Sequence, residues 1–442
     1  MGRVINRYQV VIIGAGVAGC ATALALLKQG IRSILIVSRP ETTGFKAGET
    51  LQPLATGLLD ELGLLEDFQK TLYLTGHGSC SAWGSDELVF NDNILRLHGH
   101  GYALDRLTFD RLFFDKVESK GITILNDSLV SLEKHPEDQW LLQLKTGGPI
   151  KSSFIVDATG RQSYVARQLH VPRIQFDDLH AVYTFWRGQS AKFSRHSFVE
   201  SVENGWCYTA ALPNDIFALA IFTDKSTIKQ YQLKEITNFR AFLEKTQHSK
   251  HLLTQTSELI QMSLAVANSS MLDRIGSNHG WLAVGDAASA YDPLSAIGIA
   301  KAMADGLNAS DAISQWFNNK PKAIESYAQQ VQTAFNEFLK QRYRHYSTER
   351  RWTHSPFWKS RQEWTSVHPE RNLIRNQHTS NRLRDRVLSS LELQSILTLF
   401  NDVRPAHEAV RAYQNHTGNT HPDWKIIQAI GYLINNDFLI AA

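Results

Sequence analysis

Gly14, Gly16 and Gly19 stand at G-x-G-x-x-G spacing directly behind Val10-Val11-Ile12-Ile13 and ahead of an alanine- and leucine-rich run, Cys20 to Leu27, that closes at Lys28-Gln29-Gly30. Four β-branched residues, a glycine turn and an apolar helical run read as strand, tight turn and helix, with Gly30 at the helix end. Ser33 to Val37 supplies the next strand, so the unit is strand–helix–strand. Gly14 permits the turn, Gly16 leaves its backbone open to a pyrophosphate, and Gly19 lets helix and strand pack closely. The helix start then offers free N–H groups and a positive dipole end to the anion. This reading is a dinucleotide site; the alternative is a turn that needs glycine for packing alone. The acidic ribose ligand expected about 20 residues beyond the glycines is absent. Ser38 and Arg39 stand there. Ser38 could bond a ribose hydroxyl, and Arg39 could stack on adenine or meet a phosphate, which keeps NADP open at this point.

With 442 residues the chain has room for two or three domains. A net charge of +3 gives no case for a nucleic-acid partner. No apolar run reaches the roughly 18 to 20 residues of a membrane helix. Cys20, Cys80 and Cys207 lie far apart, which argues against a zinc site and a disulfide framework and points to the cytoplasm. The histidines lack H-E-x-x-H spacing, so no metal is expected.

Farther on, Gly48-Glu49-Thr50-Leu51-Gln52-Pro53 leads into a helical pattern from Leu54 to Leu65. Glu49 is either a solvated carboxylate or a group at a cofactor's edge. Glycine, serine and histidine crowd the stretch from Leu72 to Gly101, with a short strand expected at Glu87 to Phe90. A helix follows from Leu107 to about Lys120, then a parallel strand at Ile122 to Leu125 and an antiparallel pair, Asp127 to Lys134 and Gln139 to Thr146. Phe154 to Asp157 is a buried strand ending in the small-residue turn Ala158-Thr159-Gly160, where ligands gather in open α/β sheets. Alternating aromatic runs between Pro172 and Ala265 read as a second, antiparallel sheet with one helix at about Ile236 to Lys245. Gly280 to Val284 returns to the first sheet, and Gly298 opens a helix to about Phe317. From Lys320 the pattern is helical nearly to the end. The basic, aromatic run from Arg342 to Trp352 reads as a solvated face with paired arginines, or as a docking surface.

Three separated segments can converge on a flavin: Gly14 to Gly19, Asp157 to Gly160, and Gly285-Asp286. Asp286 can accept a hydrogen bond from a ribityl hydroxyl. The next helix can point its positive end at the isoalloxazine ring, where reduction places negative charge.

With Gly48-Glu49-x-Leu51-x-Pro53, Arg106-x-x-Phe109-Asp110, Asp157-Ala158-Thr159-Gly160-Arg161 and Gly285-Asp286-x6-Pro293-Leu294-Ser295-x-x-Gly298, the chain resembles FAD-dependent monooxygenases of the tryptophan-halogenase-like superfamily. The resemblance spans about residues 8 to 315. It implies an α/β fold: a Rossmann-type FAD-binding domain of the aromatic-hydroxylase (GR2-like) kind, an antiparallel-sheet substrate domain and a C-terminal helical region. The FAD-binding domain is expected from residues 1–75, 101–170 and 275–320, the substrate domain from 76–100 and 171–274, and the helical region from 321–442. By the same resemblance Arg106 contacts FAD, Asp286 holds the ribityl chain, and Pro293 to Gly298 line the flavin.

The lysine that halogenases carry some twenty residues after the Gly-Glu motif is missing: Thr71 to Gly78 contains none. Of their Gly-Trp-x-Trp-x-Ile-Pro motif, Gly205-Trp206 to Pro213 keeps only the outline. Two other segments, Gly78-Ser79-x-Ser81-Ala82-Trp83-Gly84 and Glu349-Arg350-Arg351-Trp352-x-x-Ser355-Pro356-Phe357-Trp358, resemble the LodB/GoxB-like flavoproteins of tryptophylquinone cofactor biogenesis. That likeness implies hydroxylation of a tryptophan side chain in a partner, the precursor of a quinone-cofactor amine or amino-acid oxidase or dehydrogenase. It implies O2 and a transient reductant such as NAD(P)H. Glu49 and His77 are the candidate catalytic residues. Hydroxylation of a free aromatic molecule, reduction of prenyl double bonds and a non-catalytic assembly chaperone stay open as alternatives.

Overall fold

The computed structural model describes residues 6–39, 44–71, 73–93, 100–135, 139–188, 195–254, 256–362, 372–377, 388–418, 421, 423–435 and 438–442. The chain divides into two compact units, Met1–Arg173 with Asp177–Trp358, and Ile174–Phe176 with Lys359–Ala442.

The first unit is built on an eight-stranded sheet. Its parallel centre runs Trp281–Ala283, Ile150–Asp157, Asn6–Ile13, Ile34–Ser38 and Thr123–Asn126. Val10 to Val37 in these strands are almost wholly buried, as parallel strands covered on both faces require. The Val17–Lys28 helix packs on this sheet and against the Gly298–Phe317 helix. The antiparallel pair Leu129–His135 and Gln139–Leu144 extends the sheet where alternation in the sequence predicts it. The Arg106–Ser119 helix starts where Asp105 caps it, its carboxylate accepting from the Leu107 amide.

A second, seven-stranded sheet runs in the order Glu258–Val266, Leu179–Arg187, Ile216–Asp224, Gly205–Leu212, His196–Val202, Gly78–Ala82 and Val89–Asp92. Its pairs are antiparallel except His196–Val202 with Gly78–Ala82, which is parallel. Two helices follow its Ile216–Asp224 strand, Lys225–Gln230 and Ile236–Leu243, where the sequence suggests one. A small third sheet joins Thr50–Leu51, Gly101–Ala103 and Leu74–Gly76.

The first unit continues past residue 320 because the long Lys322–Tyr346 helix packs on the Gly298–Phe317 helix and on the Gly276–Ser277 strand. In the second unit the helices Ser390–Thr398, Ala406–Thr417 and Asp423–Asn435 enclose a core that includes Leu393, Ile396, Tyr413, Ile426 and Ile430. It also holds a three-stranded sheet of Asn372–Arg375, Arg404–Pro405 and Leu439–Ala441, which the helical reading of the C-terminal region does not anticipate. No described helix is long and apolar enough to cross a membrane.

Candidate active site

The three segments singled out in the sequence meet at the ends of adjacent parallel strands. The Ala158 amide donates to the Ile13 carbonyl at 2.9 Å, the Gly14 amide to Val37 at 2.8 Å, and the Val284 amide to Asp157 at 3.0 Å. The glycine turn is sterically determined. Gly14 has φ +114°, and a Cβ there would meet the Ala158 carbonyl oxygen at 2.3 Å. A Cβ on Gly19 would meet the Gly14 carbonyl oxygen at 2.0 Å, whereas one on Gly16 meets nothing within 4 Å. Gly16 therefore borders open space at the start of a helix with no side-chain cap and no acidic residue in its first turn. The uncapped N–H groups of that first turn could hold a pyrophosphate. Ser38 ends the second strand of this cradle, its hydroxyl donating to the Arg39 carbonyl at 3.2 Å, and Arg39 is exposed beside it.

Thr159 is committed to its own turn. Its hydroxyl donates to Asp157 Oδ1 at 2.6 Å and accepts from the Tyr164 amide at 2.7 Å. Gly160, at φ +63°, leaves open space. Asp286 lies on the facing turn with a half-exposed carboxylate 3.5 Å from Arg161 Nε, and its backbone carbonyl accepts from Arg173 at 2.7 Å. Lys301 holds the same turn, donating to the Gly285 carbonyl at 3.0 Å and to Asp305 at 2.6 Å. The i,i+4 spacing of Lys301 and Asp305 was a legible signal that the sequence reading passed over. Pro293–Ser295 forms a single tight turn capped by Asp292, and the helix from Gly298 begins with no side-chain cap and no acid in its first turn. A Cβ on Gly298 would meet nothing within 4 Å. Open glycine backbone, uncapped helix starts and an accessible carboxylate fit an FAD molecule.

Glu49 is a buried acid of the site, 2% exposed. The Tyr183 hydroxyl donates to its Oε2 at 2.8 Å and the Gly48 amide at 3.2 Å, while Oε1 has no hydrogen-bond partner. Burial pushes its pKa up to about 7 against the opposing pull of Tyr183, the Gly48 amide and Arg106. Arg106 grips the loop before it: Nη1 donates to the Ala47 carbonyl at 2.8 Å and Nη2 to Asp110 at 2.9 Å. Thr50, the next residue, shares a 3.0 Å hydrogen bond with the Tyr208 hydroxyl. It also lines a cleft of about 170 Å3 walled by Gln52, Thr75, Asn91, Asn93, Arg195 and His196, among others. His77 sits between two of the cleft's glycines, Gly76 and Gly78, and Arg195 donates to its Nε2 at 3.2 Å. Its ring lies 6.1 Å from that of His100 and 6.0 Å from that of His196. Glu49 and His77 thus have separate partners and form no dyad. Sequence reasoning missed both Tyr183, which lies in no motif, and Tyr208, which stands where the Gly-Trp-x-Trp-x-Ile-Pro motif has its second tryptophan. Among the described residues no cluster of His, Cys, Asp and Glu could hold a metal ion.

The two segments linked to the tryptophylquinone branch also meet. The Gly84 amide donates to Glu349 Oε2 at 2.9 Å, Ser201 Oγ to the same oxygen at 2.6 Å, and the rings of Trp83 and Trp358 lie 5.3 Å apart. Of the arginines in this run, Arg342 is buried between Asp177 and Asp292 and Arg351 binds the buried Glu349, whereas Arg344 and Arg350 are exposed.

The family model for the FAD binding domain matches residues 7–342, and the chain belongs to that family of flavoproteins. It is an FAD-dependent oxidoreductase. Its relatives include the protein named as FAD-dependent oxidoreductase LodB of Marinomonas mediterranea, 26% identical over 82% of this chain and 99% of the relative. The 1H-pyrrole-2-carbonyl-[peptidyl-carrier protein] brominase of Pseudoalteromonas luteoviolacea is 24% identical over 73% of this chain and 81% of its own. Among solved structures, the peptidyl tryptophan dihydroxylase QhpG, essential for tryptophylquinone cofactor biogenesis, shares the fold with a TM-score of 0.66 at 18% identity, over 97% of this chain and 99% of that one.

Proposed function

We propose that this flavoprotein is a monooxygenase that hydroxylates a tryptophan side chain of a partner protein during tryptophylquinone cofactor biogenesis. What supports this reading most is the junction of Gly78–Gly84 with Glu349–Trp358, the two segments by which the chain resembles that branch, joined through a carboxylate that is 1% exposed. The match to LodB over 82% of this chain and the shared fold of QhpG agree with it. FAD, when bound and reduced, supplies the activation of O2. Gly14, Gly16, Gly19, Ser38 and Arg39 would bind its adenosine and pyrophosphate part. Gly160 and Asp286 would bind the ribityl region, with Thr159 shaping the turn that presents Gly160, and Pro293 to Gly298 would line the ring, with Arg106 bracing the loop beside it. Glu49 Oε1, unpartnered and poised near neutrality, would take up the proton that an indole loses on oxygenation. Tyr183 holds Oε2 so that Oε1 stays free. The amide and hydroxyl groups of Gln52, Thr75, Asn91 and Asn93 suit a peptide backbone around an indole better than they suit a free apolar ring.

Co-expression of the chain with a candidate quinoprotein precursor, followed by mass spectrometry of the precursor's tryptophan peptides, tests this. A gain of oxygen mass on one tryptophan is expected. Precursor left unchanged, together with oxygen incorporation into a free aromatic compound, would replace the protein substrate by a small one.

A further inference from the structure

The long Lys322–Tyr346 helix delivers Arg342 and Tyr346 into the interior of the first unit, where neither the flavin cradle nor the cleft uses them. Arg342 Nε donates to Asp292 Oδ2 at 3.0 Å, and its Nη2 lies 3.0 Å from Asp177 Oδ2. All three side chains are less than a tenth exposed. The Tyr346 hydroxyl donates to the same Asp292 oxygen at 2.9 Å and accepts from the Trp206 indole N–H at 3.0 Å. Trp206 in turn stacks on Phe222 of the neighbouring strand, centroids 3.8 Å apart. The other oxygen of Asp292 accepts from the Leu294 amide at 3.0 Å, and its carbonyl accepts from the Ser295 hydroxyl at 2.8 Å. Asp292 is therefore fully engaged: one oxygen faces the helix, the other shapes the Pro293–Ser295 turn. Burial opposes the Arg342 charge, but the two carboxylates more than restore it.

We infer that Arg342 and Tyr346 are positioning residues for the flavin: acting through Asp292, they fix the Pro293–Gly298 turn in register with the substrate-domain strand that carries Trp206. The inference rests on the reading that this turn lines the flavin. The planar guanidinium matters because it meets two carboxylates from different segments at once, which a lysine ammonium on a flexible stem does less rigidly. Tyr346 matters because its single hydroxyl is both donor to Asp292 and acceptor from the seven-stranded sheet.

Arg342→Lys, Arg342→Met and Tyr346→Phe, purified and compared with wild type, test the inference by FAD titration and by the visible spectrum of the FAD-saturated protein. Gly298→Val serves as the direct probe of the turn, and Arg344→Met, an exposed neighbour, as the control. A loss of FAD affinity of at least ten-fold is expected for Arg342→Met and a smaller one for Arg342→Lys. A shifted flavin absorption band is expected for both and for Tyr346→Phe, with Arg344→Met unchanged. Arg342→Met leaves two buried carboxylates without their cation and can fail to fold; Tyr346→Phe keeps every charge paired and then decides the matter by its spectrum. If Gly298→Val weakens FAD binding while Tyr346→Phe and Arg342→Lys keep the wild-type affinity and spectrum, the positioning role is overturned and the flavin assignment of the turn survives. If Gly298→Val itself binds FAD as wild type does, the assignment falls and the inference with it.

Discussion

The Tyr183 hydroxyl reaches Oε2 of Glu49 at 2.8 Å across 134 residues of chain, and that bond leaves the buried Oε1 as the acid's one unengaged oxygen. A carboxylate so placed accepts a proton in its ionised form. With a pKa near 7, activity toward the substrate is expected to rise with pH through about 7. Glu49→Gln should lower turnover by on the order of 100-fold or more and flatten that limb, with FAD still bound. Tyr183→Phe removes a donor that favours the ionised form, so the limb should move to higher pH. Rate–pH profiles of the three proteins check this.

The same burial predicts a stability effect. A carboxyl whose folded pKa is about 7 against an ordinary 4.5 binds its proton more tightly when folded. Stability from that proton is present in full below 4.5 and is lost as pH rises through 7, by about 3 kcal/mol in all. Glu49→Gln cannot ionise. Its melting temperature should overtake that of wild type as pH goes from 5 to 8, as calorimetry would reveal.

Gly14 and Gly16 should fail differently. Gly14→Ala forces a Cβ to within 2.3 Å of a carbonyl oxygen at φ +114° and should destabilise the fold by roughly 2–4 kcal/mol. A Cβ at Gly16 meets no protein atom within 4 Å, so Gly16→Ala should leave the melting temperature of the FAD-free protein nearly unchanged while weakening FAD binding. Thermal melts with and without added FAD separate the two.

Much of this cradle was legible because its constraints are local. The spacing of Gly14, Gly16 and Gly19 encodes one turn, and the helix from Gly298 to Phe317 starts and stops where glycine and periodicity say. Tyr183 was not legible, since the long sheet that carries it displays aromatic residues at many positions and only the tertiary fold aims one at Glu49. Arg342 was misread because a helix with arginine beside tyrosine looks the same whether its charges meet water or two distant aspartates. The sheet of Asn372–Arg375, Arg404–Pro405 and Leu439–Ala441 has strands of two to four residues, too short for an alternation to register.

Glu349 predicts acid sensitivity. Burial pushes its pKa up, but Arg351, Ser201 and two backbone amides outweigh that and draw it down to about 2. Its folded pKa lies below the ordinary 4.5, so the stability it brings is present above 4.5 and is lost as pH falls toward 2, on the order of 3 kcal/mol. The Glu349–Trp358 segment should loosen from the Trp83 turn over that range, seen as a change in tryptophan fluorescence. Glu349→Gln should show the loosened spectrum already at neutral pH.

The cradle's walls are donated by stretches ending at Ile13, Asp157 and Ala283, cross-linked by main-chain bonds. During synthesis the last of these emerges only after the other two have left the ribosome. A chain interrupted before Ala283 would carry the glycine signature in full yet lack one of the walls that face it.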